Sequence, residues 1–145
     1  MKKPIELSSI FKEEHFVDYP FVKIPQEFFD SRGSIQNIAD GSLGDVAVIR
    51  CEINAIRANH YHDHDWHLTF MISGSMEYEW SEKVVGTPQN KITVSEGQMV
   101  YTPSGAPHKM TFKEKTIFIA VAALSRNQEN YEADTKRLSL DYFKG

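Results

Sequence analysis

Short segments rich in β-branched and aromatic residues recur from about residue 20 to about residue 124, and Gly, Pro, Asn and Asp separate them. Helical periodicity is hard to find in this stretch, and the pattern is typical of an all-β sandwich or barrel. Turn residues and alternation delimit eight predicted strands: Val46–Ile53, Ile56–His62, His67–Ser73, Met76–Ser81, Lys91–Val94, Met99–Thr102, His108–Phe112 and Thr116–Leu124. Eight strands suffice to close a jelly roll, so we expect an all-β jelly-roll barrel.

The composition points to one domain and argues against two classes of partner. With 145 residues, 41% of them hydrophobic, the chain can bury one substantial core. We therefore expect residues 1–145 to form a single domain with its barrel core at about 45–124. A formal net charge of −4 offers no positive field for a phosphate backbone, so no nucleic acid is expected as a partner. No window holds the roughly 18 consecutive apolar residues of a membrane helix, so no membrane is expected either.

Cysteine usage and the N-terminus favour the cytoplasm. Cys51 is the only cysteine, and Glu6, Glu13 and Glu14 interrupt the N-terminus before any apolar run long enough for a signal peptide. We expect the barrel to carry an N-terminal extension of extended chain and turns, and a short polar C-terminal tail. The polar stretch 125–138 is compatible with a short helix or an ordered tail, and the sequence leaves both open.

Four of the six histidines fall within residues 60–67. His60 and His62 are two apart, so on a strand their rings leave the same face about 7 Å apart. His67 opens the next predicted strand, and a rigid Pro-Ser-Gly-Ala-Pro turn delivers His108 to the start of another. Neutral imidazoles bind Zn, Fe, Ni, Cu or Mn, so three or four of them in one pocket predict a metal site. A surface histidine patch or hydrogen-bonded core histidines are the alternatives.

The histidine spacing resembles the two sequence motifs of the cupin family. The first motif is similar to His60-x-His62, four residues, His67 and six residues to Gly74, with His67 where glutamate is usual. The second is similar to Gly97, five residues, Pro103-x-Gly105, two residues and His108. The resemblance covers about residues 45–122 and implies a small double-stranded β-helix barrel that is commonly a homodimer. It also implies one divalent transition metal, Zn, Fe, Mn or Ni, held by His60, His62, His67 and His108.

Two shorter segments resemble cupins that act on nucleotide sugars. Asp30-Ser31-Arg32-Gly33 is similar to a segment of the 3,5-epimerases of dTDP-4-keto-6-deoxy sugars and the related 3,4-ketoisomerases, although a polar turn ending in glycine explains it as well. The strand from Arg57 to His62 is similar to their Arg-x-x-His-x-His strand, and to the epimerising cupin domain attached to capsule-sugar reductases. The resemblance implies an isomerase or epimerase of polysaccharide biosynthesis that acts on a sugar or nucleotide sugar next to a keto group, by metal-stabilised enolate chemistry.

That reaction assigns expected roles to further residues. Tyr61, Tyr78 or Tyr101 would return the proton, His64 with Asp63 or Asp65 would be the base, and Arg32 and Arg57 would hold the diphosphate. The related isomerases use their histidines as bases and need no metal, so the two roles compete, and the set of four histidines favours the metal. The alternatives are a mononuclear non-haem metal dioxygenase and a non-catalytic metal- or sugar-binding cupin.

Overall fold

The computed structural model describes residues 3–7 and 10–144 and shows an antiparallel β-barrel. The strands in these residues are β1 Phe21–Val22, β2 Phe28–Asp30, β3 Gly33–Ile35, β4 Asp45–Cys51, β5 Ile56–His62, β6 His67–Ser73, β7 Ser75–Trp80, β8 Asn90–Ser95, β9 Met99–Thr102, β10 His108–Thr111, β11 Thr116–Ala122 and β12 Thr135–Arg137. A 3₁₀ turn spans Glu13–Phe16, and one α-helix, α1, spans Gln128–Asp134. Neither is long and apolar enough to cross a membrane.

Two five-stranded sheets form the barrel, and both are antiparallel. The first has the order β1-β9-β6-β11-β4, and the second has the order β12-β5-β10-β7-β8. Strands β2 and β3 pair with each other as a separate hairpin. This architecture confirms the predicted all-β jelly roll.

The eight predicted strands are all present. Strands β5, β6 and β9 have the predicted bounds at both ends, and the other five differ by at most two residues at either end. Burial and turn residues explain the agreement, because most of these strands bury at least one face, β9 buries both, and the turn residues between strands set the register.

The core consists of two clusters on opposite faces of the first sheet. One lies between the two sheets and includes Met71, Tyr78 and Phe118. The other lies on the outer face, where Phe11 and Phe16 of the N-terminal extension are buried. The extension is thus more than extended chain at the barrel's edge, since it covers this face and adds β1 beside β9.

The polar tail forms a helix followed by a strand. The side chain of Asn127 accepts a hydrogen bond from the Asn130 amide at 3.0 Å and caps α1. Strand β12 then pairs with β5, with Thr135 opposite His62 and Arg137 opposite His60. The sequence left a helix and an ordered tail open, and the structure contains both, placed against the strand that carries two of the clustered histidines.

Candidate metal centre

Three histidines meet between the sheets at one end of the barrel. His60 and His62 leave one face of β5, and His108 begins the neighbouring strand β10 directly opposite His60. One nitrogen from each ring lies within 4.8 Å of the others. The ring centroid of His60 lies 4.6 Å from that of His62 and 4.8 Å from that of His108. Three converging imidazoles supply a ligand set that suits a transition metal.

A β-bulge aims His60 into this cluster. In the pairing of β10 with β5, His108 is opposite His60 and Lys109 is opposite Ala58, so Asn59 is the extra residue. Ala58 and Asn59 have φ values of 66° and 59°, in the left-handed region that residues other than glycine rarely adopt. Bulges of this kind often lie next to functional sites, where they redirect a side chain.

Hydrogen bonds fix the tautomers of two of the three rings. The Thr135 hydroxyl donates its single hydrogen to the Tyr131 carbonyl at 2.6 Å, so at 3.3 Å from His62 Nδ1 it can only accept. His108 Nδ1 lies 2.9 Å from the Ala106 carbonyl, which also only accepts. Both rings therefore carry their proton on Nδ1 and leave the Nε2 lone pair available. Nε2 of His62 is buried and has no hydrogen-bond partner among the described residues.

All three rings are neutral near pH 7. Burial, and then the neighbouring histidines, lower the pKa of His60 to about 3 and that of His62 to about 4. Burial also lowers the pKa of His108 well below its ordinary value. Neutral imidazole is the form that binds metals, so an ion does not have to compete with protons for these nitrogens. The orphaned His62 nitrogen, the neutral rings and the donor chemistry all fit a divalent transition metal.

His67 lies beside this triad and pairs with an aspartate. It begins β6 in the opposite sheet, and its ring centroid lies 4.6 Å from that of His62. Its Nε2 lies 2.9 Å from Asp65 Oδ2, with both side chains buried. Burial alone would raise the pKa of Asp65, but the bonds from His67 and the Leu124 amide lower it below its usual value. Asp65 is therefore ionised and accepts a hydrogen bond from Nε2–H of His67, so Nδ1 is the ring nitrogen that this pairing leaves unused.

A cavity of about 270 Å³ opens beside the histidines. Its wall combines apolar side chains with a threonine, a tyrosine, three histidines and three arginines: Ile49, Ile56, Arg57, Ala58, His60, His67, Thr69, His108, Met110, Phe118, Ala120, Arg126, Tyr131 and Arg137. No acidic side chain is among these residues.

The C-terminal segment 126–137 supplies part of this wall and fixes the loop before β6. Asp134 accepts hydrogen bonds from the backbone amides of His64 and Asp65 at 2.9 and 3.0 Å. The Tyr131 ring lies 5.8 Å from that of His62, and the Arg126 guanidinium lies 5.9 Å from the centre of the Tyr131 ring. This segment therefore contacts the histidine cluster through side chains as well as through the β12–β5 pairing.

The structure brings together the four predicted metal ligands, with His67 at the edge of the cluster, but it does not place the predicted catalytic residues on the cavity wall. His64 is exposed, and Asp65 pairs with His67 rather than with His64. Tyr61 is half-buried and faces away from its neighbours His60 and His62 on β5. Neither His64 nor Tyr61 is among the cavity residues.

The other two tyrosines are buried in the core. Tyr78 belongs to the cluster between the sheets, where its hydroxyl lies 2.6 Å from that of Thr102, and burial raises its pKa above the ordinary value. Tyr101 belongs to the outer cluster, and burial raises its pKa to about 12. Neither lines the cavity, because alternation on β7 and β9 turns both rings into packed surroundings.

Of the two predicted substrate arginines, only Arg57 lines the cavity. Its Nε donates to Cys51 Sγ at 3.1 Å, and its Nη2 donates to the Arg50 carbonyl at 3.2 Å. Arg32 lies in the turn between β2 and β3, with its side chain 87% exposed and paired to Asp30 at 2.6 Å. The polar-turn interpretation therefore accounts for that segment, because Asp30 also accepts the Arg32 amide at 2.8 Å.

Sequence reasoning missed Arg126, Tyr131, Thr135 and Arg137, because no apolar periodicity marks the segment that carries them. It also missed the pairing of Asp65 with His67. The signal for that pair was present, since two residues spaced by two on an extended chain face the same side.

A buried histidine cluster inside a single jelly-roll barrel defines the class of protein. The cupin-domain family model matches residues 48–122, just over half of the chain, so the chain belongs to the cupin family. No curated protein sequence matches the chain.

Several solved structures share the fold. The dTDP-4-dehydrorhamnose 3,5-epimerase of Sulfolobus tokodaii is 15% identical, with a TM-score of 0.67 over 83% of this chain and 77% of that chain. The TDP-fucose-3,4-ketoisomerase of Campylobacter jejuni is 12% identical, with a TM-score of 0.65 over 81% of this chain and 87% of that chain. The capsular polysaccharide assembling protein CapF of Staphylococcus aureus is 19% identical, with a TM-score of 0.60 over 85% of this chain but only 34% of that chain. At these identities the likeness shows the fold alone.

Proposed function

We propose that this cupin is a metal-dependent isomerase or epimerase that moves a proton next to the carbonyl group of a sugar or nucleotide sugar. The observation that carries the proposal is the buried, unpartnered Nε2 of His62 beside the nitrogens of His60 and His108. A buried nitrogen lone pair without a donor is costly unless something binds it. Two of the three named structural neighbours are a sugar 3,5-epimerase and a sugar 3,4-ketoisomerase, which supports the class of reaction.

The metal would be held by His60, His62 and His108. A divalent ion bound there would act as a Lewis acid that polarises a carbonyl oxygen. Hydrogen bonds from His62 to Thr135 and from His108 to Ala106 orient two of the rings, as is usual for metal-binding histidines.

His67 is the group best placed to move the proton. Its Nδ1 can accept a proton, and Asp65 holds the ring through Nε2 and stabilises the positive charge that then forms. Under this proposal the metal-binding and base roles no longer compete for the same histidines, because three rings hold the ion and the fourth, His67, is the base. The sequence instead predicts that His67 is a fourth metal ligand. The two roles differ in whether Nδ1 of His67 binds the ion or takes a proton from the substrate, and an experiment described below distinguishes them.

Elemental analysis of the purified, untagged protein, before and after chelator, tests the metal site. We expect a stoichiometric divalent metal and its loss in His62→Ala. The metal should be retained in the matched control His64→Ala, which removes a nearby histidine ring that is exposed and is not a proposed ligand. Full metal retention in His62→Ala would show that the ligand assignment is wrong. Stoichiometric iron with oxygen uptake would favour the dioxygenase alternative.

Proton exchange tests the reaction. Candidate substrates are a dTDP-4-keto-6-deoxy sugar, a ketose phosphate and a keto-uronate, each incubated in deuterated water and followed by NMR. We expect deuterium to enter at the carbon next to the carbonyl of one of them, and His67→Asn to keep the metal while losing about 10²–10⁴-fold in exchange rate. Loss of metal in His67→Asn would instead identify His67 as the fourth ligand. The predicted homodimer stays a prediction, which light scattering of the same samples checks.

A further inference from the structure

The cavity wall is cationic although the chain as a whole is acidic. Arg57, Arg126 and Arg137 line the cavity and no Asp or Glu is among its lining residues, whereas the formal net charge of the chain is −4. The lining histidines add no negative charge. A concave site of one sign attracts ligands of the opposite sign and orients them.

Two of these arginines stand close to the metal-site histidines. Arg137 on β12 is directly opposite His60 on β5, and residues opposite each other in an antiparallel pair share a face. Arg137 forms two hydrogen bonds with Glu132, both at 3.0 Å, and its side chain is 62% exposed, so it lies at the opening of the cavity. The glutamate holds the guanidinium in place and accepts two of its five N–H groups, one from Nη1 and one from Nη2, which leaves three for a ligand.

Arg126 is held in a different way and keeps hydrogen-bonding capacity. Its guanidinium lies 5.9 Å from the centre of the Tyr131 ring, and its buried Nε forms an ion pair with Asp45 at 3.5 Å but no hydrogen bond. Guanidinium groups bind carboxylates and phosphates in a bidentate fashion, and the contacts with Tyr131 and Asp45 hold this one in position. Arg126 is thus an oriented donor on the cavity wall.

The volume of the cavity limits the size of the group it encloses. About 270 Å³ is below the roughly 300–1,000 Å³ of pockets that bury drug-sized ligands. A cavity of about 270 Å³ is suited to a single sugar ring with one charged substituent, and a nucleoside diphosphate would extend beyond it. Arg32, the arginine expected to hold a diphosphate, lies on the exposed β2–β3 turn and does not line the cavity.

We propose, resting on the proposed function, that the substrate is a compact sugar bearing its own oxyanion, a carboxylate or a phosphate monoester, and that Arg126 and Arg137 bind this group. The carbonyl then faces His60, His62 and His108, and the C-terminal segment determines which substrate enters.

Calorimetric titration of the metal-loaded protein tests this inference with four probes: glucuronate, glucose 6-phosphate, glucose and dTDP-glucose. We expect glucuronate or glucose 6-phosphate to bind at least about tenfold more tightly than glucose, because hydrogen bonds to charged groups are worth more than neutral ones. The comparison of the first two probes distinguishes a carboxylate from a phosphate. Arg126→Gln and Arg137→Gln should each weaken the preferred anion about tenfold and leave glucose binding and metal content unchanged.

Lys136→Gln is the matched control. It removes the same charge from β12 at the residue next to Arg137, but alternation turns Lys136 away from the cavity and toward Asp63 at 3.5 Å. We expect it to bind the preferred anion like the wild type. Equal effects of Lys136→Gln and Arg137→Gln would show a general charge effect and overturn the inference.

Two other results also overturn it. The first is that glucose and both anionic sugars bind equally tightly, or that none of the three binds. The second is that dTDP-glucose binds most tightly of the four probes, and that Arg32→Gln weakens this binding whereas Arg126→Gln does not. Failure of the proposed function is a separate result, since a protein without metal can still bind the anion in an Arg126-dependent manner.

Discussion

Replacing Thr135 by valine removes one hydroxyl while keeping the shape of the side chain. In the structure that hydroxyl donates to the Tyr131 carbonyl and accepts the Nδ1 proton of His62. The Tyr131 carbonyl keeps a second donor, the backbone amide of Thr135, so the group left without a partner is His62 Nδ1–H. The Asp134 carboxylate lies 3.8 Å from the same nitrogen, beyond hydrogen-bond distance.

The size of the effect follows from that one lost contact. An unpaired buried N–H costs about 1–3 kcal/mol, and the ring can relieve the cost by moving its proton to Nε2 or by turning. Either response removes the Nε2 lone pair from the triad. Loss of such an orienting partner typically weakens metal binding by about 10–100-fold, which is about 1.4–2.8 kcal/mol.

Zinc titration of the chelator-stripped protein against a chromophoric competitor measures this change. Thr135→Ser is the matched control, because it keeps the hydroxyl and loses one methyl group, worth about 0.8 kcal/mol of burial. We expect the serine variant to bind zinc like the wild type and the valine variant to bind it 10–100-fold more weakly, with both melting cooperatively. Equal zinc affinity in the valine and serine variants would refute the assignment of the His62 tautomer.

Two further predictions concern stability. Gly74 and Gly97 both have a φ of +83°, but an added Cβ would lie 2.6 Å from the Lys115 carbonyl at Gly74 and within 4 Å of nothing at Gly97. Gly97→Ala should therefore cost about 1–2 kcal/mol of backbone strain, and Gly74→Ala about 1–3 kcal/mol more, as measured by urea denaturation; equal costs would contradict the packing argument. In the metal-free protein, the unfolded chain takes up protons below about pH 6.5, whereas the folded pKa values of His60 and His62 are about 3 and about 4. The free energy of unfolding should then fall between pH 7 and pH 5 by about 2 kcal/mol for each of these histidines, and a pH profile that is unchanged in His60→Gln would contradict their burial as neutral rings.

The barrel could be predicted from the sequence because its physical signals are local. Strands β6 and β9 are largely buried, so their composition is mainly apolar or β-branched and turn residues end them sharply. The pair His60 and His62 was predictable because a spacing of two on a strand puts both rings on one face. His67 and His108 were predicted as further ligands from the resemblance to the two cupin motifs.

Strand β12 gave no such signal. Its residues are Thr135, Lys136 and Arg137, and it lies at the edge of its sheet, where pairing uses backbone groups and the side chains need not be apolar. The helix before it has seven residues and buries none of them. The residues that this segment brings to the site lie some 70 positions along the chain from the histidines they contact. Local patterns of apolar and polar residues do not predict contacts between residues so far apart in sequence.

The spacing of the histidines along the sequence also could not predict the role of each ring. A motif treats the four rings as equivalent, whereas the hydrogen-bond partner of each ring decides which nitrogen has a lone pair. His62 and His108 have Nδ1 occupied by Thr135 and Ala106, but His67 has Nε2 occupied by Asp65. The difference separates a ring suited to share an ion from a ring suited to carry a proton.

These contacts divide the site between two parts of the chain. The triad and His67 lie within residues 48–122, the part that matches the cupin-domain family, whereas Arg126 and Arg137 lie beyond it. The match to the cupin-domain family therefore includes the histidines but not the arginines that we propose as the anion site. Thr135 belongs to the second part and contacts the first, so substitutions of Arg126 and Arg137, which spare Thr135 and its partners, should alter ligand preference without altering metal affinity.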